Sequence, residues 1–107
     1  MNRLIAALAL PLSLGVLAAG ELEINVVIEG HKFTPDRIEV PAGNKVTLFV
    51  ENKDATPEEF ESGALRIEKV IPGKSKATIF VGPLKAGEYK FAGEFNPTSA
   101  HGVIVAK

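Results

Sequence analysis

With 107 residues, 46% hydrophobic and 23% charged, the chain has the composition of an ordinary globular protein and enough length for one domain. Twelve Lys and Arg against thirteen Asp and Glu leave a net charge of −1 with no basic block, which argues against nucleic acid as a partner. There is no cysteine, so disulfides, thiolate metal sites, iron–sulfur clusters and cysteine nucleophiles are excluded together.

The first predicted element stands outside the fold. Met1, Asn2 and Arg3 form a short positive start, Leu4 to Leu17 is an apolar run broken by Pro11, and Val16 to Gly20 supplies small residues for cleavage. This reads as a secretory signal over residues 1–20, because about 17 apolar residues with a central proline are short for a bilayer span. A lipoprotein is excluded, since no cysteine is present to acylate. The exported domain, residues 21–107, is expected to begin near Gly20 or Glu21, and the short signal points to a bacterial periplasm.

From there the hydrophobic period is two and the punctuation is glycine and proline. Leu22, Ile24, Val26 and Ile28 alternate with Glu23, Asn25 and Glu29, with Val27 breaking the pattern, and Gly30 closes the strand. Ile38 to Val40, the turn Pro41 to Asn44, and Val46, Leu48 and Val50 read as a hairpin-like pair. Leu65 to Ile71, the turn Pro72 to Lys74, and Ala77 to Val81 follow, the last rich in β-formers. Glu88 to Phe91 and Gly102 to Val105 complete the set. Six or seven short strands at this spacing predict a β-sandwich. Residues 57–63 are open to two readings, a strand or a helical turn begun by Pro57.

The order of these features resembles the cupredoxins. Phe33-Thr34-Pro35, the strand before Pro41-Ala42-Gly43, and Val46 to Asn52 follow the family's F-x-P, glycine turn and asparagine-ended strand. Leu84 to Phe91 matches L-x-x-G-x-Y-x-F, and Gly102 to Val105 matches the last strand. The resemblance implies an all-β Greek-key sandwich of seven to eight strands. It also implies where copper ligands would fall: the first histidine on Glu58, the cysteine on Gly93, the second histidine on Asn96, and the methionine region near His101. A blue-copper site needs a thiolate and two imidazoles, so type 1 copper is excluded by residue type.

Asn52 to Ser62, Val70 to Gly73, Gly82 to Gly87 and Gly93 to Ala100 are similar to the small periplasmic cupredoxin-like proteins that accompany bacterial iron permeases. What this implies is a metal-binding accessory of iron uptake, taking copper or iron and assisting ferrous-iron oxidation or handover. Its partners would be permease components in or near the inner membrane. The alternative is a metal-free module of the same fold that docks to a membrane transport partner.

The residues can be read without that resemblance. In an extended segment Glu58 and Phe60 face one side and Glu59 and Glu61 the other, with Phe60 in the core. In a helical one Glu58 and Glu61 share a face. Carboxylates are hard oxygen ligands suited to ferric iron, and an imidazole beside them suits iron, copper or zinc. Glu58, Glu94 and His101 are expected to converge at one end of the sandwich as an open mixed site, with Glu59 and Glu61 as further candidates. The competing reading makes the glutamates a solvated acidic turn. His31 reads as a surface residue, and Phe91 and Phe95 as core. No nucleophile motif accompanies Ser62, Ser75 or Ser99, and no phosphate-binding glycine loop precedes a helix, so an ordinary hydrolase is not expected.

Added copper should therefore give no intense thiolate-to-copper absorption in the visible spectrum of the purified protein. A strong blue colour from the monomer would refute the assignment at Glu58, Gly93 and Asn96.

Overall fold

A computed structural model describes residues 21–107, and the expected signal segment lies outside the described residues. Alternating apolar residues build nine strands: β1 (Glu21–Ile28), β2 (Phe33–Thr34), β3 (Arg37–Val40), β4 (Lys45–Asn52), β5 (Glu58–Ser62), β6 (Ile67–Ile71), β7 (Ser75–Val81), β8 (Gly87–Gly93) and β9 (His101–Ala106). They form two sheets, in the order β2-β1-β4-β7 and β3-β9-β8-β5-β6. The all-β sandwich expected from the sequence is the observed fold.

The period-two pattern is what makes the sandwich close. In the four-stranded sheet β1 runs parallel to β4, with Leu22 beside Val46, Ile24 beside Leu48, and Val26 beside Val50. All six side chains are buried, because in each strand they fall on the one face turned to the core. The facing sheet contributes Ile38, Val40, Phe60, Ile71, Phe91 and Ile104. Phe33, Phe60 and Phe91 meet at the centre: the Phe60 and Phe91 rings stack at 4.9 Å, and Phe33 sets its edge against each at 5.8 and 5.0 Å. Gly102 is required here by space, since a Cβ would run into the Phe91 ring and the Asp36 carbonyl.

One connection differs from the sequence expectation. The turn after Val40 does not make a hairpin: β3 pairs with β9 in one sheet and β4 with β1 and β7 in the other. The Pro72 to Lys74 turn passes from β6 in one sheet to β7 in the other. Alternation specifies which face is buried but not which strand is the neighbour. Within the stretch 57–63 the strand reading holds: β5 has Glu58, Phe60 and Ser62 inward and Glu59 and Glu61 outward.

Truncating Phe60 to alanine should cost about 3 to 5 kcal/mol in urea unfolding. Phe80→Ala, at a side chain 76% exposed, should stay within about 0.5 kcal/mol.

Candidate functional site

The inner end of the five-stranded sheet is arranged by Asn52. Its fully buried amide donates to the carbonyls of Thr56, Ile71 and Pro72, at 2.9, 3.1 and 3.3 Å, and its Oδ1 accepts from the Asp54 N–H at 3.0 Å. These bonds fix the loop that ends at Pro57 and so deliver Glu58 to the core side of β5. Asp54 in turn holds the turn after β1, accepting the N–H groups of Gly30 and His31 at 2.8 and 3.0 Å. Those two donors keep its carboxyl below the usual carboxylate range. His31 stands at the surface as expected, with its Nδ1 3.6 Å from Asp54.

Glu58 is 1% exposed, and a carboxylate at that depth is costly unless donors surround it. Three do. Its Oε1 accepts the backbone N–H groups of Glu59 and Phe95, each at 2.9 Å, and its Oε2 accepts the Asn96 side-chain amide at 2.9 Å. Gly93 is the neighbour that makes room: a Cβ there would sit 2.6 Å from the Glu58 Cδ and 2.7 Å from the Ala100 Cβ. The loop from Gly93 to Ala100 closes on itself through Gly93 N–H to the Ala100 carbonyl and Ala100 N–H to the Asn96 carbonyl.

Positions 58, 93 and 96 therefore do converge, as the resemblance implied. They do not fit a type 1 copper ion. The thiolate position is a glycine, and the space beside it is filled by the Glu58 carboxylate, already bonded to protein donors.

The remaining candidates lie elsewhere. Glu59 and Glu61 project from the outer face of the same sheet. The Glu94 N–H donates to the Glu59 carbonyl at 2.8 Å, and Glu68 on β6 stands directly across from Glu61. Partial burial, then repulsion from Glu68, Glu94, Glu61 and Glu58, holds the Glu59 carboxyl above its ordinary range. Glu68 had no signal in the sequence, because only the β5–β6 register brings it to Glu61. His101 begins β9 and lies across from Ala92, which lies across from Glu61. The small Ala92 thus leaves a gap between a carboxylate and an imidazole whose backbones are about 10 Å apart, two strand spacings. An open groove of about 700 Å³ runs there, lined by Glu61, Ala92, His101, Lys90 and Arg37.

The expected convergence of Glu58, Glu94 and His101 is thus not what the fold builds. Glu58 points inward and His101 is exposed on the outer face, because β5 alternates and β9 enters with His101 outward. Among the described residues no group of three or more His, Asp or Glu stands close enough, as placed, to hold a metal ion. Phe95, expected in the core, is 51% exposed; its backbone N–H is drawn to Glu58 and its ring is left outside. Ser62 is structural, donating to the Lys90 carbonyl at 2.7 Å and accepting the Leu65 N–H at 3.1 Å.

A family model described as "Cupredoxin-like domain" matches residues 3–106. The uncharacterized protein RP394 of Rickettsia prowazekii (strain Madrid E) is 40% identical over 84 residues, which is 78% of this chain and 67% of that protein. Among solved structures, a copper binding protein in its apo form superposes with a TM-score of 0.75 at 22% identity, covering 88% of this chain and 94% of that one. The metal binding domain of the Cu(I) exporting P-type ATPase CopA of Streptococcus pneumoniae D39 gives 0.72 at 16%, covering 86% and 91%. Auracyanin A, a blue copper protein of Chloroflexus aurantiacus, gives 0.69 at 15%, covering 82% and 100%. At these identities the structural matches speak for the fold.

Glu58→Ala should orphan three donors and cost about 3 kcal/mol, while Glu58→Gln, which keeps the acceptor for the two N–H groups, should cost less. Urea unfolding of both variants checks this. For Glu59 the shift is upward, so the folded state resists ionisation, and stability falls as pH rises through the carboxyl's raised pKa. Glu59→Gln should therefore be more stable than the parent at neutral pH, the gain vanishing below the ordinary value of 4.5. A gain independent of pH would contradict the repulsion.

Proposed function

Because the chain belongs to the cupredoxin-like domain family, we propose that it is an exported, metal-binding accessory of iron uptake, working in the periplasm beside an inner-membrane permease. The observation that carries this reading is the outer face of the five-stranded sheet. Glu59, Glu61, Glu68 and Glu94 are gathered there, where partial burial and then the neighbouring carboxylates raise the Glu59 carboxyl, and His101 stands across Ala92 at the rim of an open groove. Like charges set directly opposite one another cost stability, and a bound cation relieves that cost. Oxygen donors favour hard ions such as ferric iron, and the imidazole extends the range to copper. In this role the exposed face takes up the ion and presents it to the partner, with no step assigned to the buried end.

A second reading is favoured by Glu58 itself. Its oxygens are engaged by protein donors, which suits a fold kept as a metal-free module that docks to a membrane transport partner.

Metal analysis of the untagged mature protein, followed by anaerobic ferrous, ferric and cupric titrations, separates the two. The metal-binding reading expects Glu59→Ala, Glu61→Ala and His101→Ala each to weaken binding by about tenfold or more, with Glu23→Ala on β1 unchanged. Absence of binding below millimolar metal would leave the docking module.

A further inference from the structure

We propose that the outer face of the four-stranded sheet is the contact surface of a symmetric dimer, in which a second copy of this chain packs face to face with its β4 antiparallel to the first. This rests on neither reading of the metal chemistry, because the outward carboxylates of β5 belong to the other sheet and stay open.

The outward residues of this sheet form a grid that the register fixes. Along β4 they are Lys45, Thr47, Phe49 and Glu51. Beside them on β1 stand Glu21, Glu23, Asn25 and Val27, and on β7 Phe80 is across from Thr47, Thr78 from Phe49 and Lys76 from Glu51. The middle of the grid is uncharged on β4 and β7, and it holds two exposed rings, Phe49 at 38% and Phe80 at 76%.

A single apolar side chain on a surface is ordinary. Two aromatic rings at diagonal positions in the centre of a sheet face, with charges at both ends, have the layout of an interface. Hollows of about 480 and 460 Å³ lie towards the two ends, the first lined by Phe49 and Thr78 and the second by Thr47 and Phe80.

Symmetry selects the occupant. A two-fold axis in the plane of the face, crossing the strands at Leu48, exchanges Lys45 with Glu51 and Thr47 with Phe49 along β4. It sets Lys45 of each copy against Glu51 of the other, and neither residue is in an ion pair among the described residues. On β7 the same axis sets Phe80 over Thr78, at the hollow beside Phe49, and Lys76 over the uncharged end of the strand. On β1 it sets Glu23 over Asn25 and Glu21 over Val27. No like charges face one another in this grid. The protruding ring and the hollow that takes it are thus related by the operator that also pairs the charges, and each contact is made twice, as a two-fold interface requires. An axis along β4 would instead put Lys45 on Lys45 and Glu51 on Glu51, which is costly. An anionic lipid surface is disfavoured too, since three carboxylates outnumber two ammonium groups on the grid. At about 4.8 Å per strand and 3.4 Å per residue the face covers roughly 500 Å² per copy, about 1,000 Å² in all, the size of a transient dimer.

The test uses the mature protein itself, followed by sedimentation velocity and amide NMR from about 20 μM to about 2 mM, a range that brackets contacts this small. The sedimentation coefficient should rise with concentration, and the amide shifts that move with it should fall on β1, β4 and β7 and not on β5, β8 or β9. Lys45→Glu and Glu51→Lys should each weaken association by about tenfold or more, because each sets two like-charge pairs across the axis. An equimolar mixture of these two variants should recover it, and so should the double variant Lys45→Glu/Glu51→Lys. Phe80→Ala, at a side chain that adds little to the fold, should weaken association to a similar degree and keeps the test open should a charge variant unfold. A protein that stays monomeric to about 2 mM, shifts confined to the other sheet, or variants that associate like the parent would overturn the proposal. So would a mixture of the two charge variants that fails to associate, or binding to phosphatidylglycerol vesicles without self-association, which would make the occupant a membrane.

Discussion

A carboxylate buried inside a sandwich has to be met by donors, and the end of this molecule is organised by that requirement. Glu58 is placed inward because β5 alternates and Phe60 must be in the core. Once inward, its charge calls on the Glu59 and Phe95 N–H groups and the Asn96 amide. Those bonds draw the Gly93 to Ala100 loop over the sheet, and that loop then sets where Glu94 emerges and where β9 begins. Gly93 is the geometric condition, since any side chain there would displace the carboxylate. Asn52 is the counterpart on the other side, holding the loop that precedes β5.

The family relationship takes on a specific meaning against this arrangement. In this chain the positions corresponding to copper ligands are still brought together by the fold, but their chemistry has been replaced. A network of hydrogen bonds holds the loop where, in a blue-copper site, a thiolate, imidazoles and a metal would. The exposed carboxylates stand on the outer face of the same sheet instead, where Glu61 and Glu68 are set directly opposite one another. Inner and outer faces of one strand, β5, thus carry two different uses of glutamate.

Much of the fold was legible in the sequence because burial alternates so regularly in β1 and β4 and because glycine and proline mark nearly every turn. What alternation could not tell was pairing: Val40 and Val46 look like two sides of a hairpin, and only the register shows them in different sheets. The same gap explains the site. The sequence puts Glu58 and Phe60 on one face and Glu59 and Glu61 on the other, and the structure agrees. Whether His101 joins the first pair or the second depends on how β9 pairs with β8, and Glu68 enters only through the β5–β6 register. Phe95 misled because an aromatic residue usually seeks the core, whereas here the backbone beside it is held by a carboxylate.

The central claim is that ion-binding chemistry belongs to the outer face while the Glu58 end is a closed structural joint. Carbon-13 shifts of the glutamate side-chain carboxyls, followed by NMR during titration with zinc as a diamagnetic probe, test this most directly. The account predicts that the carboxyls of Glu59, Glu61 and Glu94 move together while the Glu58 carboxyl and the Asn96 amide stay in place. Movement of Glu58 and Asn96 with the outer carboxyls unaffected would contradict it.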